Sequence, residues 1–177
     1  PALPFFILSF NLSLAYLHTI LSKILKTILL GAFFLISGYF TYTALFNPAK
    51  MLLTPDDSLQ YLNEWSSGYG ITETISLINQ LKAQAPTLVL TEGSFGTLPD
   101  ALLVYYFNQD VSNLKIEGIG QPVYGWDKWQ SLIDQYPQAI LVVNSHRMKA
   151  QLPSEKLLGN FSRPSFTAPS LQVWNLK

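Results

Sequence analysis

Four side chains able to hold or move charge lie just past two apolar runs. Glu92 and Ser94 follow the run TLVLT that ends at Thr91, and His146 and Arg147 follow AILVVN, which ends at Asn144. Runs of this length and β-branched content read as buried strands. In an open α/β sheet, ligand-binding groups sit just beyond the carboxyl ends of such strands. Glu92, Ser94, His146 and Arg147 are therefore the candidate rim of a pocket, with ordinary exposed loop residues as the alternative. A second candidate is Gly68-Tyr69-Gly70, directly ahead of a helical pattern. Backbone amides at a helix start carry partial positive charge, so a glycine turn there could hold a phosphate or a carboxylate. The favoured reading is a tight turn whose glycines adopt positive φ. A dinucleotide fingerprint needs a preceding strand and a third glycine, and that position is Glu73.

Other chemistries find less support. General acid and base work on a glycosidic bond requires two carboxyl groups held on opposite sides of it, and the scattered Glu64, Glu73 and Glu92 show no such pairing. Asp56-Asp57 reads as the solvated start of a helical turn, because a metal pair there would lack a nearby histidine. Gly93-Ser94-Phe95-Gly96 does not fit a nucleophile elbow. The chain has no cysteine, which excludes disulfides, thiolate metal sites and cysteine nucleophiles together. No catalytic, cofactor-binding or metal-ligating residue is assigned. Asn160-Phe161-Ser162 matches a glycosylation acceptor only formally.

The elements that must position these groups are legible in the C-terminal two-thirds. Apolar residues Ile71, Ile75, Ile78 and Leu81 recur at helical spacing over 71–85, and Pro86 stops the pattern. A strand is predicted at 87–91, and a helix over 99–108 that begins on Pro99. A short strand at 115–119, a helix over 126–136 and a strand at 139–144 follow. A final edge strand at 171–176 is expected to run antiparallel, and residues 160–170 read as a surface connection. Alternating strands and helices predict a small α/β domain over 56–177, a three-layer open sheet with mostly parallel strands. All eleven acidic residues and eight of the eleven basic ones fall from Asp56 onward. That slight negative balance excludes a basic stripe for nucleic acid.

The N-terminal third is of a different kind. From Thr27 to Phe46 no charged residue occurs, and a helix of that length reaches roughly 30 Å, the thickness of a bilayer's hydrocarbon core. Residues 2–22 are also uncharged, around Asn11 and His18, and lack the basic leader and small-residue cleavage site of a signal peptide. Two membrane-spanning helices, about 2–22 and 27–46 within a transmembrane region 1–50, are expected. A buried helix of a soluble domain is the alternative. Lys23 and Lys26 between the two segments place that joint in the cytoplasm and the C-terminal domain outside it. Because an apolar segment starts abruptly at Pro1, the chain reads as the C-terminal piece of a longer polytopic protein of the inner membrane.

Leu3-Pro4-Phe5 in the first apolar helix, Asp57-Ser58-Leu59-Gln60-Tyr61, the Trp65 to Gly70 turn, and Thr91-Glu92-Gly93-Ser94-Phe95-Gly96 followed by Leu98-Pro99-Asp100-Ala101-Leu102 form a recognisable series. In it the chain resembles the C-terminal end of bacterial GT-C membrane glycosyltransferases. These are the dolichyl-phosphate-mannose protein mannosyltransferase and aminoarabinose transferase type, glycosyltransferase family 39. The resemblance implies a polytopic enzyme that moves a sugar from a polyprenyl-phosphate donor to a lipid or protein acceptor at the outer membrane face. Its catalytic acids would lie in a first external loop that this sequence does not contain. The chain would then contribute a noncatalytic outer domain, with the lipid bilayer, the lipid-linked sugar donor and the remaining transmembrane helices as partners. Alternative readings are a membrane-tethered ligand-binding or sensor module, and a structural cap on the spanning helices.

Overall fold

The computed structural model describes residues 9–10, 13–14, 23–165 and 167–177. The chain divides into two compact units, Pro1–Leu52 and Leu53–Lys177. In the first, helix α1 (Lys23–Phe46) is long and apolar enough to cross a membrane. Its apolar side chains face outward all round, with Leu35 76% exposed. Two of its threonines bond the helix backbone: Thr27 Oγ1 donates to the Lys23 carbonyl at 3.0 Å and Thr43 Oγ1 to that of Tyr39 at 2.9 Å. Hydroxyls paired in this way add no unsatisfied donor to an apolar surface. Asn47 ends the helix and a single 3₁₀ turn, Pro48–Lys50, follows.

Two expectations bear on this unit, one of them outside the described residues and one to be adjusted. The described residues contain one such helix, and the expected span at 2–22 falls almost wholly outside them. Lys23 and Lys26 stand inside α1 instead of in a joint before it. Lysine is a good helix former, and its long stem lets a charged head reach water from a helical position, so the apolar boundary understates the helix.

In the second unit, helix α2 (Ile71–Gln84) leads into strand β1 (Thr87–Thr91), helix α3 (Thr97–Tyr106) and strand β2 (Leu114–Gly118). A short helix α4 (Gln130–Asp134) precedes β3 (Gln138–Asn144), and β4 (Leu157–Phe161) and β5 (Leu171–Asn175) close the chain. The sheet order is β2-β1-β3-β5-β4. β1 is buried throughout, as a strand covered on both faces must be. On one face Ile78 of α2 and Leu102 and Tyr106 of α3 pack with Val89, Ile140, Val142 and Val173. On the other, Ile133 of α4 packs with Leu88, Leu90, Leu141 and Val143. Burying each of these aliphatic side chains contributes about 1.5–3 kcal/mol, and alternate residues of the same strands feed the two cores.

The sheet is mixed, not mostly parallel. β1 runs parallel to β2 and β3, while β5 runs antiparallel to β3 and to β4. The predicted edge strand β5 is an interior strand, and β4, whose last two residues fall in the predicted connection and whose first three carry no predicted element, is the true edge. The cause lies in chain length. Residues 162–170 are enough to reverse direction between neighbours but too few for the helical crossover that a parallel pair requires. β4 also hides its signal, because Gly159 and Asn160 interrupt the apolar pattern and its register shifts between Leu157 and Gly159.

Candidate functional site

This topology brings four separate stretches of chain to one end of the sheet. β1, β3 and β4 point the same way, so the residues that follow them, Glu92, Ser145 to Arg147 and Arg163, emerge together. α2 returns antiparallel to β1, which puts its leading turn, Trp65 to Gly70, at that end as well. From β1 the chain passes outward to β2, and from β3 it passes the other way, so the carboxyl ends of these neighbours form the crevice at a reversal of strand order.

Glu92 lies at the centre of the crevice with 1% of its surface exposed. Its carboxylate accepts from the Asn144 backbone N–H at 2.8 Å, from Asn144 Nδ2 at 2.5 Å and from Arg147 Nη1 at 3.1 Å. A buried carboxylate is tolerated only with such compensation. The Asn144 side-chain oxygen in turn accepts from Arg163 Nη2 at 2.5 Å, and Arg163 Nε donates to Ser67 Oγ at 3.2 Å. Arg163 is 5% exposed and its Nη1 has no hydrogen-bond partner. Burial pulls its pKa below the usual guanidinium value, against the nearby charges of Glu64 and Glu92. The Arg147 guanidinium stacks over the Trp65 ring, 4.5 Å from its centroid, a cation–π contact. One chain of polar contacts therefore runs from Ser67 through Arg163, Asn144 and Glu92 to Arg147 and Trp65.

The four sequence-predicted rim residues separate on this geometry. Glu92 and Arg147 pair with each other, but as the floor of the crevice and not as its rim. Ser94 is exposed and makes none of the bonds of the network. His146 is exposed and lines a cleft of about 440 Å³ together with Glu64, Ser145, Thr167, Ala168 and Pro169. Its pKa is lowered, first by partial burial of the ring and then by the charge of Arg147. Gly68 and Gly70 have φ of +77° and +88°, the turn that was favoured. A Cβ on Gly70 would stand 2.8 Å from Phe161 Cβ, so glycine is required for closeness as well as for φ. Burial raises the Tyr69 pKa, and the shallow hollow around this turn includes Glu73, whose carboxylate opposes an anion. Among the described residues, no three His, Asp or Glu side chains gather closely enough to hold a metal ion.

Sequence reasoning missed Asn144 as a ligand of Glu92, named Trp65 and Ser67 only as members of the Trp65 to Gly70 turn, and missed Arg163 altogether. The available signal for Arg163 was its place two residues beyond β4, the same position relative to a strand end that singled out the others. Without β4 that signal vanished. No family model, no curated protein and no solved structure matches the chain.

Proposed function

We propose that this chain is the C-terminal part of an integral membrane glycosyltransferase of the GT-C type. The parent enzyme transfers a sugar from a polyprenyl-phosphate donor to a lipid or protein acceptor. The α/β unit is its noncatalytic outer domain, on the extracytoplasmic side of the inner membrane. One observation carries the reading. The two strings that create the resemblance, 57–70 and 91–102, lie far apart in sequence yet meet at one end of the sheet. Ser67 is joined through Arg163 and Asn144 to Glu92, and a Cβ on Gly96 would come within 3.7 Å of the Trp65 ring. Residues that converge in this way form a structural unit and not a chance composition. Helix α1, apolar over most of its exposed length, supports attachment to a membrane.

The test is recovery of the complete reading frame and assay of the purified full-length protein with polyprenyl-phosphate sugars. Transfer that is abolished by neutralising acidic residues of the first external loop, and only reduced by disrupting the crevice network, is the expected result. A full-length protein without further spans, or with a signalling domain upstream, would overturn the assignment. That outcome would favour a membrane-tethered ligand-binding module, the reading to which the open cleft beside His146 lends weight.

A further inference from the structure

We propose that the outward face of α3 and the turn after it, Leu103, Val104, Phe107 and Val111, rests on a lipid bilayer, its side chains sunk into the boundary between headgroups and acyl chains. The inference rests on the membrane attachment of α1 proposed above and is independent of sugar transfer.

The two helices on one face of the sheet differ in what they show to water. α2 exposes Thr72, Glu73, Ser76, Gln80 and Gln84, the polar back of an amphipathic helix whose Ile78 lies in the core. α3 exposes Leu103, Val104 and Tyr105, and Phe107 follows at once, although Leu102 and Tyr106 already fill its core side. A helix that is apolar all round is a helix covered all round. Yet Val104 is 75% and Phe107 83% exposed. These side chains are contiguous and not scattered. Leu103, Val104, Phe107 and Asn108 line one shallow hollow of about 410 Å³, and Leu103 and Phe107 line a second, of about 240 Å³, with Tyr106, Val111 and the β2 residues Leu114 and Ile116. Contiguous apolar surface of this kind marks an interaction site.

The chemistry of the face and the length of the chain choose the partner. Of the side chains lining the two hollows only Asn108 and Tyr106 are polar, and the Tyr106 hydroxyl is already engaged with Asn79. A protein interface carries about one hydrogen bond per 100–200 Å², whereas acyl chains require none. Strand addition is opposed as well, because β2, the sheet edge beside α3, carries the Lys115–Glu117 pair at 3.9 Å, and charges on an edge strand discourage a further chain. Lys82 Nζ stands over the Tyr106 ring, 4.6 Å from its centroid, at the margin where a headgroup phosphate would lie. Asp110, the acidic residue of the same stretch, is turned onto the Ser112 backbone N–H at 3.0 Å. Residues 47–52 join α1 to the α/β unit and span no more than about 25 Å even when fully extended. With α1 in the bilayer, so short a tether keeps the unit at high effective concentration beside lipid, and a face of modest affinity stays occupied.

The chain contains no cysteine, so a single introduced one carries a fluorophore at a known place. Asn108→Cys reports the apolar face, Glu155→Cys an exposed residue beside the opposite sheet edge β4, and Leu35→Cys the middle of α1. Each full chain, labelled with an environment-sensitive dye, is placed in nanodiscs of phosphatidylcholine and phosphatidylglycerol, with nitroxide-bearing acyl chains as the lipid quencher and iodide as the aqueous one. The Asn108 label should emit to the blue, be quenched by nitroxide lipid and be shielded from iodide, while the Glu155 label is quenched by iodide alone. Phe107→Asp, at an exposed position outside the core, should return the Asn108 label to iodide's reach. If that variant fails to fold, Val104→Asp serves in its place with the same expectation. An Asn108 label as open to iodide as the Glu155 label, with the Leu35 label still quenched by lipid, overturns the docking and leaves the membrane attachment standing. A Leu35 label untouched by lipid overturns the attachment and the docking with it. Shielding of the Asn108 label from both quenchers means that protein, such as a second copy, covers the face, and overturns the proposal. Lipid quenching of that label undiminished by the aspartate substitution overturns it as well.

Discussion

Replacing Glu92 by Gln keeps the shape of the side chain and removes only its charge, which makes it the most direct probe of the crevice. The carboxylate accepts three bonds, two through Oε1 and one through Oε2. A glutamine amide has one acceptor oxygen. In its better orientation that oxygen takes Asn144 Nδ2 and Arg147 Nη1, and the NH₂ group then confronts the buried Asn144 N–H. One buried donor left unpaired costs about 1–3 kcal/mol, and the remaining bonds lose the charge that roughly doubles their strength. Arg147 is less affected, because 18% of its side chain reaches solvent. The sum is about 3 kcal/mol, at the lower edge of the roughly 3–5 kcal/mol typical of breaking a buried ion pair. For a unit the size of Leu53–Lys177 each kcal/mol moves Tm by about 3–5 °C, so the transition should fall by about 10 °C or more. The assay is thermal unfolding of the full chain in nanodiscs followed by near-ultraviolet circular dichroism, which reports Trp65 and its surroundings. A shift under about 3 °C, less than 1 kcal/mol on the same scale, would refute the claim that this carboxylate holds the strand ends together.

Gly70→Ala forces a side chain into left-handed backbone and within 2.8 Å of Phe161 Cβ, and should cost about 2 kcal/mol or more in urea unfolding. The histidine titration carries a definite sign. The folded-state pKa of His146 is depressed, so its contribution to stability is full above the unfolded value near 6.5 and is lost as pH falls from there through the folded value. Its NMR titration should have a midpoint below 6.5, and Arg147→Gln should raise that midpoint. Tyr106 donates to Asn79 Oδ1 at 3.0 Å, and burial first, then Tyr105, pushes its pKa up to about 12. Tyr106→Phe should cost about 1 kcal/mol, measured by the same urea unfolding. Leu35→Arg places a charge midway along α1 and should disfavour insertion by about 2.5–3.5 kcal/mol, read as loss of the carbonate-resistant membrane fraction.

What the residues determined alone were the features set by local patterning. The apolar α1, the helix over Ile71–Gln84 and the strands Thr87–Thr91 and Gln138–Asn144 each carry a period or a run that few alternatives satisfy. The positive φ at Gly68 and Gly70 follows from glycine itself. Glu92 and Arg147 were found because each follows a legible strand, and strand ends are where an α/β sheet gathers ligands. Only the tertiary structure decided that these two residues pair with each other, that Ser94 stands apart, and that Arg163 completes the cluster. Pairing of strands is a long-range choice, governed by which neighbour each edge meets and by how far a connection reaches. β4 is weakly patterned and gains its place only from the register with β5. Once β4 lies there, Arg163 arrives at the carboxyl ends of β1 and β3, across distances in sequence that no local pattern could span.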